Sequence, residues 1–465
     1  MPPEKPLVYP YIPNSAPTAK EAMLREVGAR NVDELYSDIP ESLRLKRKMK
    51  LPEPLLSEAE LIRHVDGLMS RNRSTRETLS FLGAGCYQHQ VPAVCDEINS
   101  RGEFLTAYAG DPYEDHGRFQ ALFEYESMMA ELLNMDVVNV PNYDGFQAAA
   151  TSLRMAVRIT GRTTVLLPAN MGADKLAMVT EYLKPGIAIE LLPYNLQTGL
   201  LDLAALEAKL SERTAAVYFE NPSYLGILET RPDQISAAAH SAGALCVVGV
   251  DPLSLGVIRP PVDYGADIVC GDIQTLGIHM HYGGGHGGFI ASNDDPKFVM
   301  EFPSRLFGIA STIVAGEYGF GDVAYERTSF ALREEGKEWV GTAAALWGIT
   351  AGVYLALMGP QGMVEIGEGL MQRCRYAMQK ISRIPGLRVT FADTPHFTEF
   401  VVDFNNTGKS AEAVNRALLE RDIFGGKDLS AEFPSLDQSV LFCVSEVHSH
   451  ADLDRLAAAL KEVVQ

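Results

Sequence analysis

The chain has 465 residues, of which 46% are apolar and 22% are charged, an ordinary composition for a globular protein. Its 40 Lys and Arg against 60 Asp and Glu give a formal net charge of −20, which disfavours nucleic acid and other polyanions as partners. No apolar run approaches the roughly 18 residues of a membrane span, and no segment resembles a signal peptide. Six scattered cysteines without a CxxC pair indicate a reduced, cytoplasmic setting and no structural zinc.

The first part of the chain, residues 1–78, is predicted to be an extended arm with short helices. Prolines recur throughout it and prevent any long regular element. They stand at positions 2, 3, 6, 10, 13, 17, 40, 52 and 54. Because the arm has too little periodic apolar pattern to build a core of its own, we expect it to wrap around another part of an assembly.

Residues 79–345 are predicted to form a large α/β domain. From about Thr163 onwards, short apolar strands alternate with helices that end near Pro or Gly. The predicted strands are 163–167, 187–192, 214–219, 245–250, 266–270 and 289–291, and the predicted helices are 172–183, 202–210 and 232–241. Because each strand is nearly all apolar, the pattern indicates a mostly parallel sheet that helices cover on both faces.

The remainder, residues 346–465, is predicted to form a small C-terminal α+β domain. A long helix through 343–357 is expected to stop at Gly359-Pro360, and a second helix to run over 362–384. The pattern then becomes β–β–α–β–α, over 387–391, 399–404, 411–421, 440–444 and 451–464. Because the strands and helices of this pattern do not alternate strictly, the pattern favours an α+β arrangement.

One strand of the large domain is followed by a carboxylate. The strand predicted at 245–250 leads directly into Asp251. In open α/β sheets, ligands bind at the carboxyl ends of the strands, so Asp251 is a candidate ligand-binding residue. The alternative is that Asp251 only caps a turn together with Ser254.

A second candidate is the sequence Tyr143-Asp144-Gly145, which precedes a run of helical periodicity over 146–157. A glycine at the start of a helix leaves free backbone N–H groups for an anion, so a phosphate site is one interpretation. Plain capping of the helix by Asp144 is the other, and the sequence does not decide between them.

A glycine run over 282–288 precedes a strand and lies close to His279, His281 and His286. It is not a phosphate-binding P-loop, because no GK[ST] follows, and not a dinucleotide fingerprint, because a strand follows instead of a helix. Without a nearby cysteine or carboxylate pair, the histidines do not predict a metal site, although two of them can be expected at an anion pocket. Neither GxSxG nor HExxH occurs, which excludes two common hydrolase classes.

Five stretches, in the same order and spread over nearly the whole chain, resemble glycine decarboxylase, the P-protein of the glycine cleavage system, in its first (α) subunit. They are 11–46 (YIPNSAPTAKE…), 80–94 (SFLGAGCYQHQVPAV), 122–139 (LFEYESMMAELLNMDVVN), 239–278 (AHSAGALCVVGVDPLSLG…) and 422–446 (DIFGGKDLSAEFPS…). The resemblance implies the pyridoxal-phosphate-dependent transferase fold of the aspartate aminotransferase type. It also implies an α2β2 assembly or a fused equivalent.

The activity that the resemblance implies is decarboxylation of glycine, with transfer of the aminomethyl group to the lipoyl arm of a carrier, the H-protein. Pyridoxal phosphate supplies the electron sink for that reaction. In such enzymes the Asp at the position of Asp251 pairs with the ring nitrogen. The resemblance therefore makes Asp251, Tyr143, Asp144 and Gly145 the candidate cofactor-binding residues, with Thr275 as a fifth and no metal.

The lysine that normally holds the cofactor lies in the loop after the strand that follows the Asp strand. Here that loop, 271–278, contains no lysine, and none occurs between Lys209 and Lys297. By comparison with the other half of the family, whose loop carries an H-K-T pattern, Thr275 stands at the lysine position. A threonine cannot form an imine. The resemblance therefore implies no catalytic residue in this chain alone and a cofactor held by a lysine-bearing β subunit.

Three stretches depart from the family pattern: 109–117 (AGDPYEDHG), 336–349 (GKEWVGTAAALWGI) and the glycine run 282–288. The family places these stretches near its ligand site or a subunit contact, so the departures concern the substrate and not the fold. Two alternatives therefore stand beside glycine decarboxylation. One is a paralogous subunit of a decarboxylase or lyase for another small amine or amino acid, and the other is a purely structural scaffold subunit.

Overall fold

The computed structural model describes residues 8–9, 11–47, 49–104, 116–338 and 344–465. The chain divides into two compact units, Met1–Arg73 and Ser74–Gln465. Within the described residues, no helix is both long enough and apolar enough to cross a membrane. The domain limits predicted at 78/79 and 345/346 stay predictions.

The first unit contains two α-helices, α1 (Pro17–Glu26) and α2 (Glu58–Met69), and short 3-10 turns at Pro13–Ser15 and Val32–Tyr36. Neither α-helix has a buried residue. One face of α2 is apolar at the spacing of a helix, and all of that face is exposed. It consists of Leu61, Ile62, Val65, Leu68 and Met69.

The second unit is built on one large sheet, which has seven strands among the described residues, in the order β2-β8-β7-β6-β5-β3-β4. The strands are β2 (Val137–Val138), β3 (Thr164–Pro168), β4 (Ala188–Leu192), β5 (Thr214–Glu220), β6 (Leu245–Val250), β7 (Ile268–Asp272) and β8 (Gly288–Ser292). β3 to β7 pair in parallel, whereas β8 is antiparallel to β7 and β2 to β8. The prediction of a mostly parallel sheet is confirmed.

Helices cover both faces of this sheet. Successive side chains of a strand point to opposite faces, so the sheet has a separate core on each side. Val165 packs in a core with residues of α5 (Gly145–Thr160) and α6 (Ala173–Leu183). Its neighbour Leu166 packs in the other core, with residues of α8 (Pro232–Ser241) and of the long helix α10 (Ala345–Ile381). The helices are α3 (Ala93–Asn99), α4 (His116–Leu133), α5 (Gly145–Thr160), α6 (Ala173–Leu183), α7 (Leu203–Lys209), α8 (Pro232–Ser241), α9 (Pro296–Val299) and α10 (Ala345–Ile381).

The long helix α10 is broken where the sequence predicts it. Gly359 has φ 59° and ψ 178°, and Pro360 follows it. A proline lacks the N–H that a helix interior needs, and a positive φ favours glycine, so the two residues together interrupt the helix. A hairpin of β9 (Phe307–Ser311) and β10 (Tyr318–Asp322) precedes α10 and was not predicted.

A smaller four-stranded antiparallel sheet lies in the C-terminal part of the second unit, in the order β11-β12-β15-β14. Its strands are β11 (Arg388–Thr390), β12 (Glu399–Asp403), β14 (Lys427–Asp428) and β15 (Ser439–Cys443), and its helices are α11 (Ala411–Leu419) and α12 (His450–Val464). β1 (Leu79–Ser80) pairs in parallel with β13 (Ile423–Phe424). The start of the second unit is therefore joined to its C-terminal part.

Candidate functional site

The candidate site is a cavity at the carboxyl ends of neighbouring strands of the large sheet. Glu220 ends β5, Asp251 follows β6, and Asp272 ends β7, and all three line the cavity. Because these strands are parallel, their last residues meet at one edge of the sheet, where open α/β sheets bind ligands. Residues from the C-terminal part, Glu399 and Lys427, line the same cavity.

Asp251 accepts two hydrogen bonds through its Oδ1 atom. One comes from the backbone N–H of Leu253 at 3.0 Å, and the other from the hydroxyl of Thr275 at 2.9 Å. Burial raises the pKa of Asp251 above its usual value, although the nearby His89 opposes that shift. Ser254 also donates its hydroxyl to the backbone oxygen of Asp251 at 2.7 Å, so Asp251 both faces the cavity and organises the turn.

Thr275 lines the cavity and is only 4% exposed. Its hydroxyl donates to the Asp251 carboxylate, so the two residues predicted to share a site are in direct contact. A hydroxyl cannot form the imine that holds pyridoxal phosphate in its enzymes. Gly145, a third candidate, lines the same cavity.

Tyr143 and Asp144 do not line this cavity. The Tyr143 side chain is 50% exposed. The Asp144 carboxylate accepts a hydrogen bond from Gln147 N–H at 2.7 Å, which caps α5. Of the two interpretations that the sequence left open for Asp144, the structure shows helix capping, because the carboxylate satisfies a donor of its own helix.

The N-terminus of α5 is contacted by a second carboxylate, that of Asp272. Gly145 N–H donates to Asp272 Oδ2 at 2.8 Å, and Gln274 N–H donates to Asp272 Oδ1 at 2.8 Å. Burial raises the pKa of Asp272 to about 6, against opposing contributions from His286 and from the two N–H donors. The Gly145 N–H group, which the sequence suggested as a donor to an external anion, is therefore bonded to the Asp272 side chain of the same chain.

Two lysines line the cavity, Lys175 and Lys427, and sequence reasoning restricted to the 271–278 loop missed both. Lys175 Nζ lies 2.6 Å from Glu220 Oε1, and Lys427 pairs with Glu432. Burial alone would lower the pKa of Lys175, but the Glu220 carboxylate outweighs burial and the pKa lies above its usual value. The position of Lys175 in the first turn of α6, just after β3, was the signal available in the sequence.

Glu399 brings the C-terminal part into the site. It is 3% exposed and accepts hydrogen bonds from Ala84 N–H at 2.6 Å and from the Tyr87 hydroxyl at 3.1 Å. Burial raises the pKa of Glu399 to about 7. Ala84 and Tyr87 belong to the stretch 80–94 that carried part of the family resemblance, and both line the cavity.

The three histidines near the glycine run do not line the cavity. His286 is 5% exposed, with Nε2 3.2 Å from the backbone oxygen of Met280 and Nδ1 3.8 Å from Asp272. His279 pairs with Asp96 at the surface, and the ring of His281 packs on Trp347. In the described part of the chain, no group of three or more His, Cys, Asp or Glu could hold a metal ion.

The charge of the cavity is predominantly negative. Its described lining carries five carboxyl groups and two lysines, and it contains no arginine or histidine. The carboxyl groups belong to Asp174, Glu220, Asp251, Asp272 and Glu399. A phosphate group needs free N–H donors or positive charge, whereas here Asp272 takes the Gly145 donor and both lysines are paired with carboxylates. Asp251 suits a pyridine nitrogen, but the rest of the lining does not fit pyridoxal phosphate.

Known proteins match the chain over nearly its full length. It is 37% identical over 467 residues to a probable glycine dehydrogenase (decarboxylating) subunit 1 from Staphylothermus marinus, with 98% of each chain covered. It is 38% identical over 454 residues to the protein of the same description from Desulforamulus reducens, with 97% of this chain and 99% of the relative covered.

Solved structures agree with the sequence matches. A crystal structure of glycine decarboxylase (P-protein) of the glycine cleavage system, in inhibitor-bound form, superposes with a TM-score of 0.82 at 34% identity, covering 98% of this chain and 100% of the other. A sphingosine-1-phosphate lyase from Burkholderia pseudomallei has a TM-score of 0.65 at 14% identity over 91% of this chain and 94% of its own, which shows the fold alone. The pyridoxal-phosphate-dependent transferase fold of the aspartate aminotransferase type is thereby confirmed.

A family model also covers most of the chain. The model described as glycine cleavage system P-protein matches residues 10–460, which include every part of the cavity. The chain belongs to the glycine cleavage system P-protein family.

Proposed function

We propose that this chain is the α subunit, without the cofactor lysine, of a two-subunit glycine decarboxylase that releases CO2 from glycine and passes the aminomethyl group to a lipoyl carrier protein. The relatives described as subunit 1 and the match over residues 10–460 support the proposal. The observation that carries it is the 2.9 Å hydrogen bond to Asp251 from Thr275, the residue that the family resemblance assigns to the lysine position.

In this proposal pyridoxal phosphate is bound by a lysine-bearing β subunit, where it supplies the electron sink for the carbanion left by decarboxylation. The assembly is an α2β2 heterotetramer in the cytoplasm, and the H-protein docks when glycine is the substrate. The α subunit contributes no catalytic residue by itself. Its Asp251–Thr275 pair holds the end of β6 against the loop that follows β7, and so keeps a site of this fold in shape without a bound cofactor.

Exchange of labelled bicarbonate into glycine tests the substrate. The purified chain is mixed with its second subunit and a lipoylated carrier protein, and each component is also omitted in turn. We expect exchange only when both subunits are present. Absence of exchange, with the second subunit shown to be folded by its circular dichroism and to carry its cofactor, rules out the glycine assignment.

A paralogous subunit for another small amine or amino acid stays the second candidate, supported by the departures at 109–117, 282–288 and 336–349. Residues 109–115 and 339–343 lie outside the described residues. In the glycine run, the Tyr282 side chain is fully exposed and its φ is 58°. Turnover of a panel of amino acids by the two-subunit enzyme decides between the candidates, because normal rates with glycine and none with the others exclude the paralogue.

The absence of a cofactor lysine is tested on the chain alone. After incubation with pyridoxal phosphate, reduction with borohydride and peptide mapping, we expect no stoichiometric adduct, and the second subunit treated in parallel should carry one. The peptides that contain Lys175 and Lys427 are the informative ones, because these lysines line the cavity. A stoichiometric adduct on any lysine together with turnover of amino acids by the chain alone would overturn the proposal.

The scaffold interpretation, in which the chain has no ligand pocket of its own, is separable from the leading proposal. Crystals of the chain grown with pyridoxal phosphate or inorganic phosphate can refute it. A ligand beside Asp251 and Thr275 excludes a pure scaffold.

A further inference from the structure

Asp272 lies where two elements of the site meet. It is the last residue of β7, and its carboxylate contacts the first residue of α5. α5 has 16 residues, and the partial positive charge at its N-terminus, with unsatisfied N–H groups, suits an anion. Gly145 donates to Asp272, and Gln147 donates to Asp144, so both of these donors are taken by carboxylates of the same chain.

The close approach of Asp272 depends on glycine at position 145. A Cβ atom added to Gly145 would lie 2.9 Å from the Cβ of Asp272 and 3.0 Å from its backbone nitrogen. Both distances are shorter than the contacts that carbon atoms normally make, so the two residues fit only because Gly145 has no side chain. The glycine at the helix start thus admits a carboxylate of this chain, not the phosphate of a ligand.

The surroundings of Asp272 add negative charge to the same volume. Five carboxyl groups line the cavity, and its two lysines, Lys175 and Lys427, are each paired with a carboxylate. A phosphate ester that entered would lose hydration, would find the Gly145 donor occupied, and would face carboxylates at distances over which like charges repel.

We propose that Asp272 is an internal anion that occupies the start of α5 and makes this cavity reject phosphate esters, pyridoxal phosphate included. Asp272 is in this sense a specificity-determining residue, because it leaves the cavity open to neutral or cationic small molecules only. The inference deepens the proposed function and rests on it, since a subunit without the cofactor lysine has no chemical use for the cofactor. Its test requires neither a partner nor turnover, so it can fail while the proposed function holds.

The test measures binding of inorganic phosphate and of pyridoxal phosphate to the full chain by isothermal titration calorimetry. Asp272→Ser removes the carboxylate, frees the Gly145 donor and adds a hydroxyl donor. We expect it to bind both probes at least about tenfold more tightly than the parent chain does, as charge-assisted hydrogen bonds to a phosphate imply. Asp144→Asn is the matched control, because it removes the same charge from the same helix end but outside the cavity, and it should gain nothing.

Asp272→Asn guards against a folding defect, since the amide has nearly the same shape and its one oxygen can accept from Gly145 N–H when its NH2 group faces Gln274, whose N–H then loses its acceptor. With the charge removed but the donor still bonded, it should gain less affinity than Asp272→Ser. Two results would overturn the proposal. One is binding of pyridoxal phosphate by the parent chain as tightly as by Asp272→Ser, and the other is the absence of any gain in both Asp272 variants when thermal melting shows them folded.

Discussion

The two units of the chain use their apolar residues in opposite ways. In the second unit, Ser74–Gln465, apolar side chains fill continuous cores, such as the one that contains Phe400 and Phe442. In the first unit, Met1–Arg73, the two α-helices contain no buried residue and the apolar face of α2 is exposed. Burial of apolar area is the main stabilising term in folding, so the second unit has a source of stability that the described residues of the first unit lack. We therefore expect the first unit to associate with another part of an assembly, whereas the second unit has cores of its own.

Removal of the first unit is expected to have the largest effect. A chain that begins at Ser74 should stay folded but should no longer assemble with the second subunit, because the exposed apolar face of α2 is lost. Light scattering after size-exclusion chromatography measures the mass of each mixture. If the truncated chain and the second subunit still form a particle with the full number of subunits, the first unit is not the association element.

Single substitutions sharpen the comparison between the units. Phe442→Ala in the core should lower the free energy of unfolding by about 4 kcal/mol, because it removes a fully buried ring and leaves a cavity. Val65→Ser on α2 should change it by less than about 0.5 kcal/mol in the isolated chain, because Val65 is 44% exposed. Denaturant unfolding followed by fluorescence measures both, and equal losses from the two substitutions would contradict the comparison.

The next largest effect on stability is expected at the tight contact between Gly226 and Glu399, near the cavity. Gly226 has φ 83°, and a Cβ atom there would lie 1.9 Å from the backbone oxygen of Glu399. Gly226→Ala should cost about 3 kcal/mol, because the clash adds to the backbone strain. Gly186→Ala is the matched control, since Gly186 has φ 100° but no atom within 4 Å of the added Cβ. The control should melt at a clearly higher temperature, and equal melting temperatures would show that strain alone accounts for the loss.

A smaller effect on the stability of the second unit depends on pH. The pKa of Glu399 is raised to about 7 in the folded chain, so the folded state holds a proton that the unfolded state releases near the ordinary carboxyl value. The stability that this proton contributes is complete below about pH 4.5 and is lost as the pH rises through about 7. Glu399→Gln should therefore stabilise the chain at pH 8 relative to the parent, by about 2 kcal/mol, and should have little effect at pH 4.5.

The control for this prediction is Glu131→Gln, because Glu131 is exposed at the surface of α4. Melting temperatures of the three proteins from pH 4.5 to pH 8 provide the measurement. A difference between Glu399→Gln and the parent chain that does not change with pH would show that the substitution acts through packing and not through the proton.

The elements that could be predicted from the sequence are those whose signal is local. The apolar runs of β3, β5 and β6 locate the strands to within about two residues, because a strand buried on both faces tolerates few polar side chains. The hairpin of β9 and β10 was missed, since its strands are rich in glycine and nearly all of their residues are exposed or only half-buried. Such strands lack the alternation of apolar and polar residues on which strand prediction depends.

The candidate site could be predicted only in part. Asp251 was found because it directly follows a predicted strand, and Thr275 was found through the family resemblance, by comparison with the H-K-T loop. Glu399 and Lys427 could not be placed there, because they reach the cavity only when the C-terminal sheet packs beside the large one, whereas Lys175 carried a local signal in its position in the first turn of α6, just after β3. The contact between Asp272 and Gly145 joins residues of two separate elements, and no local pattern in the sequence encodes it.

The pairing of β1 with β13 limits how early the second unit can finish folding while the chain is being synthesised. Leu79 pairs with Ile423, and the Phe81 that follows β1 packs in the core of the C-terminal part. Nearly the whole second unit must leave the ribosome before β1, at its start, can pair with β13. Contacts between residues so far apart in sequence form slowly. The same segment supplies Ala84 and Tyr87 to the cavity. A chain cut short before Ile423 would leave β1 without its pairing strand and Phe81 without the part of its core that β15 and α12 supply, so incomplete translation products would be exposed to quality-control proteases.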